Sequence, residues 1–364
     1  MKRRDFLAGA AAGAAVGAAS TISSPAIAQN KRTLKMVTTW PKNFPGLGTG
    51  AARAAKRITD MSDGQLTVKL YAAGELVPAL ECFDAVSSGT ADLYHGAEYY
   101  WQGKHKAFNF FTAVPFGLTA GEMDAWIHHG GGQELWDDLA ADFNVKAFAC
   151  GNTGVQMGGW FNKEINNVED MKGLKIRMPG LGGEVLRKLG AAAVTIPGGE
   201  IFPSLQSGAI DATEWVGPWN DLAFGFYKVA KFYYYPGFHE PGSTLSCGVN
   251  LDVWKSLTPQ HQEIIRNATM AENNYMMAEF NTRNGDSLDV LINKHGVQLR
   301  KFSDEVMTEI GKASGEVMRE VAAEDEKTAK IFKSFTDFRK KAIRWSDMSD
   351  SAFWAARKLP FQYE

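Results

Sequence analysis

One twelve-residue phrase occurs twice in this chain. Glu81-Cys-Phe83-Asp-Ala-Val-Ser-Ser88-Gly89-Thr-Ala-Asp92 and Glu200-Ile-Phe202-Pro-Ser-Leu-Gln-Ser207-Gly208-Ala-Ile-Asp211 share five identities at the same internal spacing, 119 residues apart. In each copy a helical run meets a glycine, the residue that most readily takes the left-handed conformation closing a helix. A turn, an aspartate and a short strand follow. Two copies of one such unit predict two lobes of similar build. Ligands of open α/β sheets bind beyond the carboxyl ends of strands. Tyr94-His95 and Glu214-Trp215, which end the two repeat strands, are therefore expected at a cleft.

Length agrees with two lobes, because 364 residues exceed one ordinary core. With 45% hydrophobic and 22% charged residues the chain is not of the disordered class. Leu34 to Thr39 and Leu66 to Tyr71 read as strands around a helix from Ala51 to about Met61, after a Gly/Pro-rich loop from Pro41 to Gly50. This strand–helix–strand rhythm predicts an α/β fold with mostly parallel strands. The C-terminal third reads as helical. Thr258-Pro259 starts a helix running to about Leu291, and no proline occurs from Asp304 to Trp345. Ile331, Phe335, Phe338, Ala342 and Trp345 fall at offsets 0, 4, 7, 11 and 14. That apolar stripe packs either on the chain's own body or on a second copy. The expected division is a leader at 1–28, one lobe from 29–150 and 240–280, a second from 151–239 and 281–330, and a helical extension at 331–364.

The leader is an address. Arg3-Arg4-x-Phe6-Leu7 precedes a mild Ala/Gly-rich run, and Ala26-Ile27-Ala28 gives a small-x-small cleavage pattern before Gln29. The run is too short and too weakly apolar to span a bilayer. The paired arginines resemble a twin-arginine export signal, so the mature chain is expected outside the cytoplasm. Cys82, Cys150 and Cys247 are too few for a disulfide framework and are expected as buried, unbonded thiols. The formal net charge of −2 gives no sign of a nucleic-acid partner.

Several chemistries are missing from the sequence. It holds no Gly-x-Ser-x-Gly elbow, no His-Glu-x-x-His and no phosphate-cradling loop. Gly46-x-Gly48-x-Gly50 follows a turn too long for a dinucleotide fingerprint, and reads as a loop facing the cleft. A small-anion site is better supported. In Leu174-Lys-Ile176-Arg177-Met178-Pro179 the alternation buries Leu174, Ile176 and Met178, leaving Arg177 to end the strand. There it either makes a surface ion pair or grips a carboxylate with parallel hydrogen bonds. Glu214, Trp215, Trp219 and Asn220 cluster after the second repeat, and Glu240 follows an aromatic run, Phe232 to Tyr235, expected to cross between lobes. Glu214 and Glu240 beside one arginine offer hard oxygen ligands suited to Na⁺ or Ca²⁺, with Gln156 adding an amide oxygen. Counting charge alone, a bound monocarboxylate favours Ca²⁺.

The export signal, the Glu-x-Phe-x-x-x-x-Ser-Gly-x-x-Asp unit, Met171-Lys-Gly-Leu-Lys-Ile-Arg177 and Glu214-Trp215 together resemble the solute-binding subunit of tripartite ATP-independent periplasmic (TRAP) transporters. The likeness is strongest to the branch that binds α-keto acids and lactate. It implies a two-lobed periplasmic binding protein with a long C-terminal helix, which closes over a 2-oxo or 2-hydroxy monocarboxylate and delivers it to membrane permease subunits. It also implies that Arg177 pairs with the substrate carboxylate. A cation, Na⁺ on this likeness, would be held by Gln156, Glu214, the backbone oxygen of Trp215, and Glu240. Substrate would contact Gln156, Arg177, Trp215 and Glu240, with Tyr99, Tyr100 and Asn220 as wall residues. A homodimer through the C-terminal helix is a further implication. An exported periplasmic enzyme, and a binding protein for a dicarboxylate or sugar acid, are the alternative readings.

Overall fold

The computed structural model describes residues 31–363, so the leader at 1–28 lies outside the described residues. The first sheet opens with β1 (Arg32–Thr38), followed by helix α1 (Leu47–Met61) and β2 (Leu66–Tyr71). The first repeat supplies α2 (Cys82–Ser87) and β3 (Leu93–Gly96). After α3 (Ala120–His129) and α4 (Gly132–Ala141), β4 (Val145–Asn152) is the last strand before the chain leaves this sheet. A second sheet takes β5 (Gly159–Phe161) and β6 (Lys175–Arg177), then α5 (Gly180–Lys188) and β7 (Ala192–Val194). The second repeat supplies α6 (Gly198–Ser207) and β8 (Ala212–Thr213), followed by α7 (Pro218–Phe224) and β9 (Phe232–Tyr235). The chain returns with β10 (Thr244–Asn250), α8 (Leu251–Ser256) and α9 (Pro259–Asn293), and adds β11 (Gln298–Lys301) to the second sheet. Helices α10 (Asp304–Ala322), α11 (Glu326–Met348) and α12 (Asp350–Ala356) end it.

Strand order is β2-β1-β3-β10-β4 in the first sheet and β11-β9-β5-β8-β6-β7 in the second. The parallel pairs are β1–β2, β1–β3, β6–β7, β6–β8 and β9–β11. Antiparallel pairs occur where the chain arrives from the other sheet, at β10 and β5. The fold class is the expected α/β.

The repeat is structural. Gly89 and Gly208 end the repeat helices with φ of 80° and 74°. Asp92 then accepts the Lys35 backbone N–H at 2.7 Å, and Asp211 accepts that of Lys175 at 3.1 Å. Each lysine returns its Nζ to the repeat's turn, at the Thr90 or Gly208 carbonyl. In both sheets the repeat thus locks onto a lysine of the neighbouring parallel strand, mid-strand in β1 and at the start of β6.

Two readings need correction, and of the two alternatives for the C-terminal stripe one is met. Helix α1 starts at Leu47, not Ala51, because Leu47, Ala51, Ala54, Ala55 and Ile58 make one buried stripe. Gly48 and Gly50 are therefore helical and not part of a cleft-facing loop. The Phe232 to Tyr235 run does not cross between lobes but pairs within the second sheet with β5 and β11. Pro236 brings no N–H to the ladder, and the crossing is made by 236–243. The C-terminal stripe packs largely on its own body. Ile331 and Phe335 are fully buried against Phe110 and Trp126, Ala342 is buried and Phe338 half-covered, while Trp345 alone stands 67% exposed.

Two crossings, 153–158 and 236–243, run side by side between the sheets. Thr153 N–H donates to the Ser243 carbonyl at 3.1 Å, Gln156 N–H to the Glu240 carbonyl at 3.1 Å and Gly237 N–H to the Gln156 carbonyl at 3.0 Å. They lie so close that a Cβ on Gly237 would stand 2.5 Å from the Gln156 oxygen. Helix α9, 35 residues and about 52 Å long, is a third link. Its Ile265 and Ala268 join the core of the first sheet, while Met276 and Phe280 join an aromatic cluster shared by Trp40, Trp160, Trp215 and Tyr233.

Candidate ligand and cation site

The carboxyl end of β6 meets the crossings, and the buried charges gather there. Arg177, the last residue of β6, is fully buried beside its register partner Thr213 of β8. Alternation accounts for the burial of Leu174, Ile176 and Met178 on one face. Arg177 is buried on the other because Tyr100, Trp215 and Glu214 cover it. Its Nη1 donates to the Glu214 carboxylate and, at 3.1 Å, to the Glu214 carbonyl. Nη2 donates to the Tyr100 hydroxyl at 3.2 Å, and Nε reaches the Ile196 carbonyl at 3.4 Å. The Trp215 ring lies 5.0 Å from the guanidinium carbon, a cation–π contact strengthened by exclusion of water. Burial opposes the arginine's charge, but the Glu214 carboxylate more than offsets it and raises its pKa. The surface ion pair considered from sequence is instead a buried one.

The crossings add the second acid. Gln156 Nε2 donates to Glu240 at 2.8 Å and to Thr153 at 3.1 Å, leaving Gln156 Oε1 buried without a partner. A buried amide oxygen lacking a donor is costly unless something else satisfies it, and a cation would. Burial, then repulsion from Glu214, pushes the Glu240 carboxyl up to about 7.

His239 is the residue the sequence reading missed. Its Nε2 lies 3.2 Å from Glu214 Oε2, and ligand atoms of Glu214, His239 and Glu240 lie within 4.8 Å of one another. Burial alone would lower the imidazole, but its bond to Glu214 gives a net rise. Extended chain sends adjacent side chains to opposite faces, so neighbours such as His239 and Glu240 do not ordinarily share a site. In the tight crossing both reach the cluster. The pair His239-Glu240 before a proline was the available signal.

Tyr99, Tyr100, Gln156 and Trp215 line a narrow cavity with Trp40 and Leu47. Arg177, Tyr100, Glu214 and Trp215 thus form one connected set that extends to His239, and the Gln156–Glu240 pair is a second set that comes within 4.8 Å of it. Asn220 stands apart. It is buried, but its Nδ2 donates to the Pro45 carbonyl at 3.1 Å and it bonds none of the others. His95, at the end of the first repeat strand, is held in the core between Trp40 and the Cys150 carbonyl, and burial lowers its pKa to about 4.

Residues 36–325 match the model of the DctP family, bacterial extracellular solute-binding protein, family 7. The chain belongs to this family. A monocarboxylate 2-oxoacid-binding periplasmic protein of a Nostoc species is 42% identical, over 97% of this chain and 98% of that protein. Two solved TRAP periplasmic solute-binding proteins share the fold with a TM-score of 0.87. One, from Pseudoalteromonas atlantica, holds sodium and pyruvate; it is 42% identical, covering 91% of this chain and all of that one. The other, from Colwellia psychrerythraea, holds calcium and pyruvate; it is 43% identical, covering 90% and 99%. The three cysteines of this chain are free and buried away from the charged cluster, as expected.

Proposed function

We propose that this member of the family is a periplasmic receptor for a 2-oxo or 2-hydroxy monocarboxylate, pyruvate or lactate, bound together with one cation. One observation carries the reading. A single arginine and two acids are buried together at the crossings, with carboxylate oxygens of Glu214 and Glu240 within 4.8 Å of each other, beside an amide oxygen that has no donor. Arg177 Nη2 takes the substrate carboxylate as the Tyr100 hydroxyl turns to donate to it. Gln156 Oε1, Glu214, Glu240 and the Trp215 carbonyl hold the cation, which in turn draws the substrate's 2-oxygen. Asn220, bonded across to Pro45, forms part of the wall. Ligand and cation thereby join groups from both sheets, the differential contact that favours a closed state.

His239 bears on the choice of ion. With a neutral imidazole, Ca²⁺ balances two glutamates, Arg177 and a monocarboxylate. With an imidazolium, Na⁺ does. The extra positive charge removes the objection to sodium raised by the two acids and one arginine, and Na⁺ is the proposed resident ion.

The twin-arginine leader supports export to the periplasm, and the family supports delivery to TRAP permease subunits. Met348 of α11, Phe353 of α12, and Leu359 and Phe361 beyond it are between 58% and 66% exposed, and with Trp345 they supply an apolar surface for a homodimer. Thermal shift of ligand-stripped protein against pyruvate, lactate, dicarboxylates and sugar acids tests the ligand class. Stabilisation by the short monocarboxylates alone, and only with Na⁺ or Ca²⁺ present, is expected. A response confined to dicarboxylates or sugar acids would reject the assignment.

A further inference from the structure

Asp221, in α7, is a fully buried carboxylate with three donors and, among the described residues, no ion-pair partner. Its Oδ2 accepts from Trp160 Nε1 at 2.9 Å and from the Tyr233 hydroxyl at 2.7 Å. Its Oδ1 accepts from the Val216 backbone N–H at 3.3 Å. Trp160 and Tyr233 stack at 4.1 Å on β5 and β9, the two strands of the second sheet that lead into the crossings.

The Val216 N–H belongs to the same peptide group as the Trp215 carbonyl. A trans peptide is planar, with N–H and C=O pointing opposite ways, so a carboxylate holding that N–H fixes the direction of the Trp215 oxygen. The flanking carbonyls are already engaged. Glu214 O accepts from Arg177, and Val216 O accepts from the Met157 N–H at 3.0 Å. No donor among the described residues bonds the Trp215 carbonyl, although Trp215 is only 4% exposed. Of three successive carbonyls, the middle one is free and its orientation is set from behind.

We infer that Asp221 is a positioning residue that aims the Trp215 carbonyl at the cation. The inference rests on the proposed cation site. Asp221 also ties that carbonyl to the strands entering both crossings, so the ligand direction is referenced to the part of the fold that joins the lobes. Val216→Gly and similar side-chain changes leave this bond intact, which is why position 221 carries the test.

A carboxamide has one acceptor oxygen for donors arriving on two sides, so Asp221→Asn cannot hold the Val216 and Trp160 N–H groups together. Tyr233→Phe removes one donor and leaves the Val216 bond in place. The readout is the cation concentration giving half-maximal pyruvate binding, with melting temperature measured alongside. The expected result is a rise of about tenfold or more for Asp221→Asn and less than about twofold for Tyr233→Phe, although both variants melt earlier. An unchanged midpoint in Asp221→Asn, or an equal shift in Tyr233→Phe, would overturn the inference while wild-type cation dependence still stood. Wild-type binding that ignores cations would instead reject the underlying site. A crystal structure of the wild-type protein with cation and pyruvate gives a check independent of folding. The inference requires the Trp215 oxygen at about 2.3–2.6 Å from the ion with Val216 N–H still on Asp221, and loss of either contact contradicts it.

Discussion

Lowering the pH should weaken cation binding by an amount that depends on the ion. Burial and Glu214 hold the Glu240 carboxyl up to about 7, and Glu214 raises His239 above its ordinary value. Below pH 6 the ion-free cluster therefore carries a neutral Glu240 and a cationic His239 beside the Arg177–Glu214 ion pair. A monocarboxylate brings that set to neutrality. Sodium keeps it neutral by displacing one proton, from Glu240. Calcium does so by displacing two, from Glu240 and His239. Ligand sites release protons when they take a metal, and each proton released changes apparent affinity about tenfold per pH unit. Between pH 5 and 6 the Na⁺ midpoint should shift about tenfold per unit and the Ca²⁺ midpoint about a hundredfold, the Na⁺ midpoint levelling above pH 8. Titration calorimetry in buffers of different ionisation enthalpy counts the protons directly. The sign for stability is opposite. A carboxyl whose folded pKa is raised stabilises the ion-free fold most below its unfolded value, and that contribution is lost as pH rises through about 7. Ion-free protein should melt later at pH 5 than at pH 8 on account of this group. Cation midpoints that do not move between pH 5 and 8 would refute the charge assignment.

Other consequences follow from single contacts. Arg177→Lys keeps a charge beside Glu214 but loses the planar fork, and pyruvate affinity should fall by about 2 kcal/mol or more; a change under threefold would show that the carboxylate binds elsewhere. Phe335→Ala removes a side chain 1% exposed between Phe110 and Trp126 and should cost about 3–5 kcal/mol in urea unfolding. A cost below 1 kcal/mol would place α11 off the body. Trp345→Glu with Phe353→Glu should abolish a sedimenting dimer and spare pyruvate binding, whereas an unchanged sedimentation coefficient would clear this face. Cys82, Cys150 and Cys247 should resist a thiol reagent until the protein unfolds, since all are buried and burial pushes the Cys82 thiol to about 12.

Local signals carried far where local physics decides. The repeat predicted paired helix–turn–strand units because a left-handed glycine and a strand-locking aspartate act within a dozen residues. Arg177 and Glu214 were legible for the same reason, as one ends and the other directly follows a short strand of the second sheet. What depends on distant chain was harder to read. His239 joins the cluster only because two crossings lie against each other, and Glu214 comes from a third segment. Gly48 and Gly50 resemble a loop until the buried stripe from Leu47 is seen beneath α9. Asp221 shows no motif at all, since its donors come from positions 160, 216 and 233. The apolar stripe at 331–345 was periodic enough to fix a helix, but periodicity cannot say whose surface covers it.

The central claim is that substrate and cation bind as a pair. Calorimetry of ligand-stripped protein, titrated with pyruvate in chelator-treated, sodium-free buffer and again after adding Na⁺ or Ca²⁺, tests it most directly. The account predicts one pyruvate per chain with the ion and little or no binding without it. Equal affinity in both buffers would contradict it.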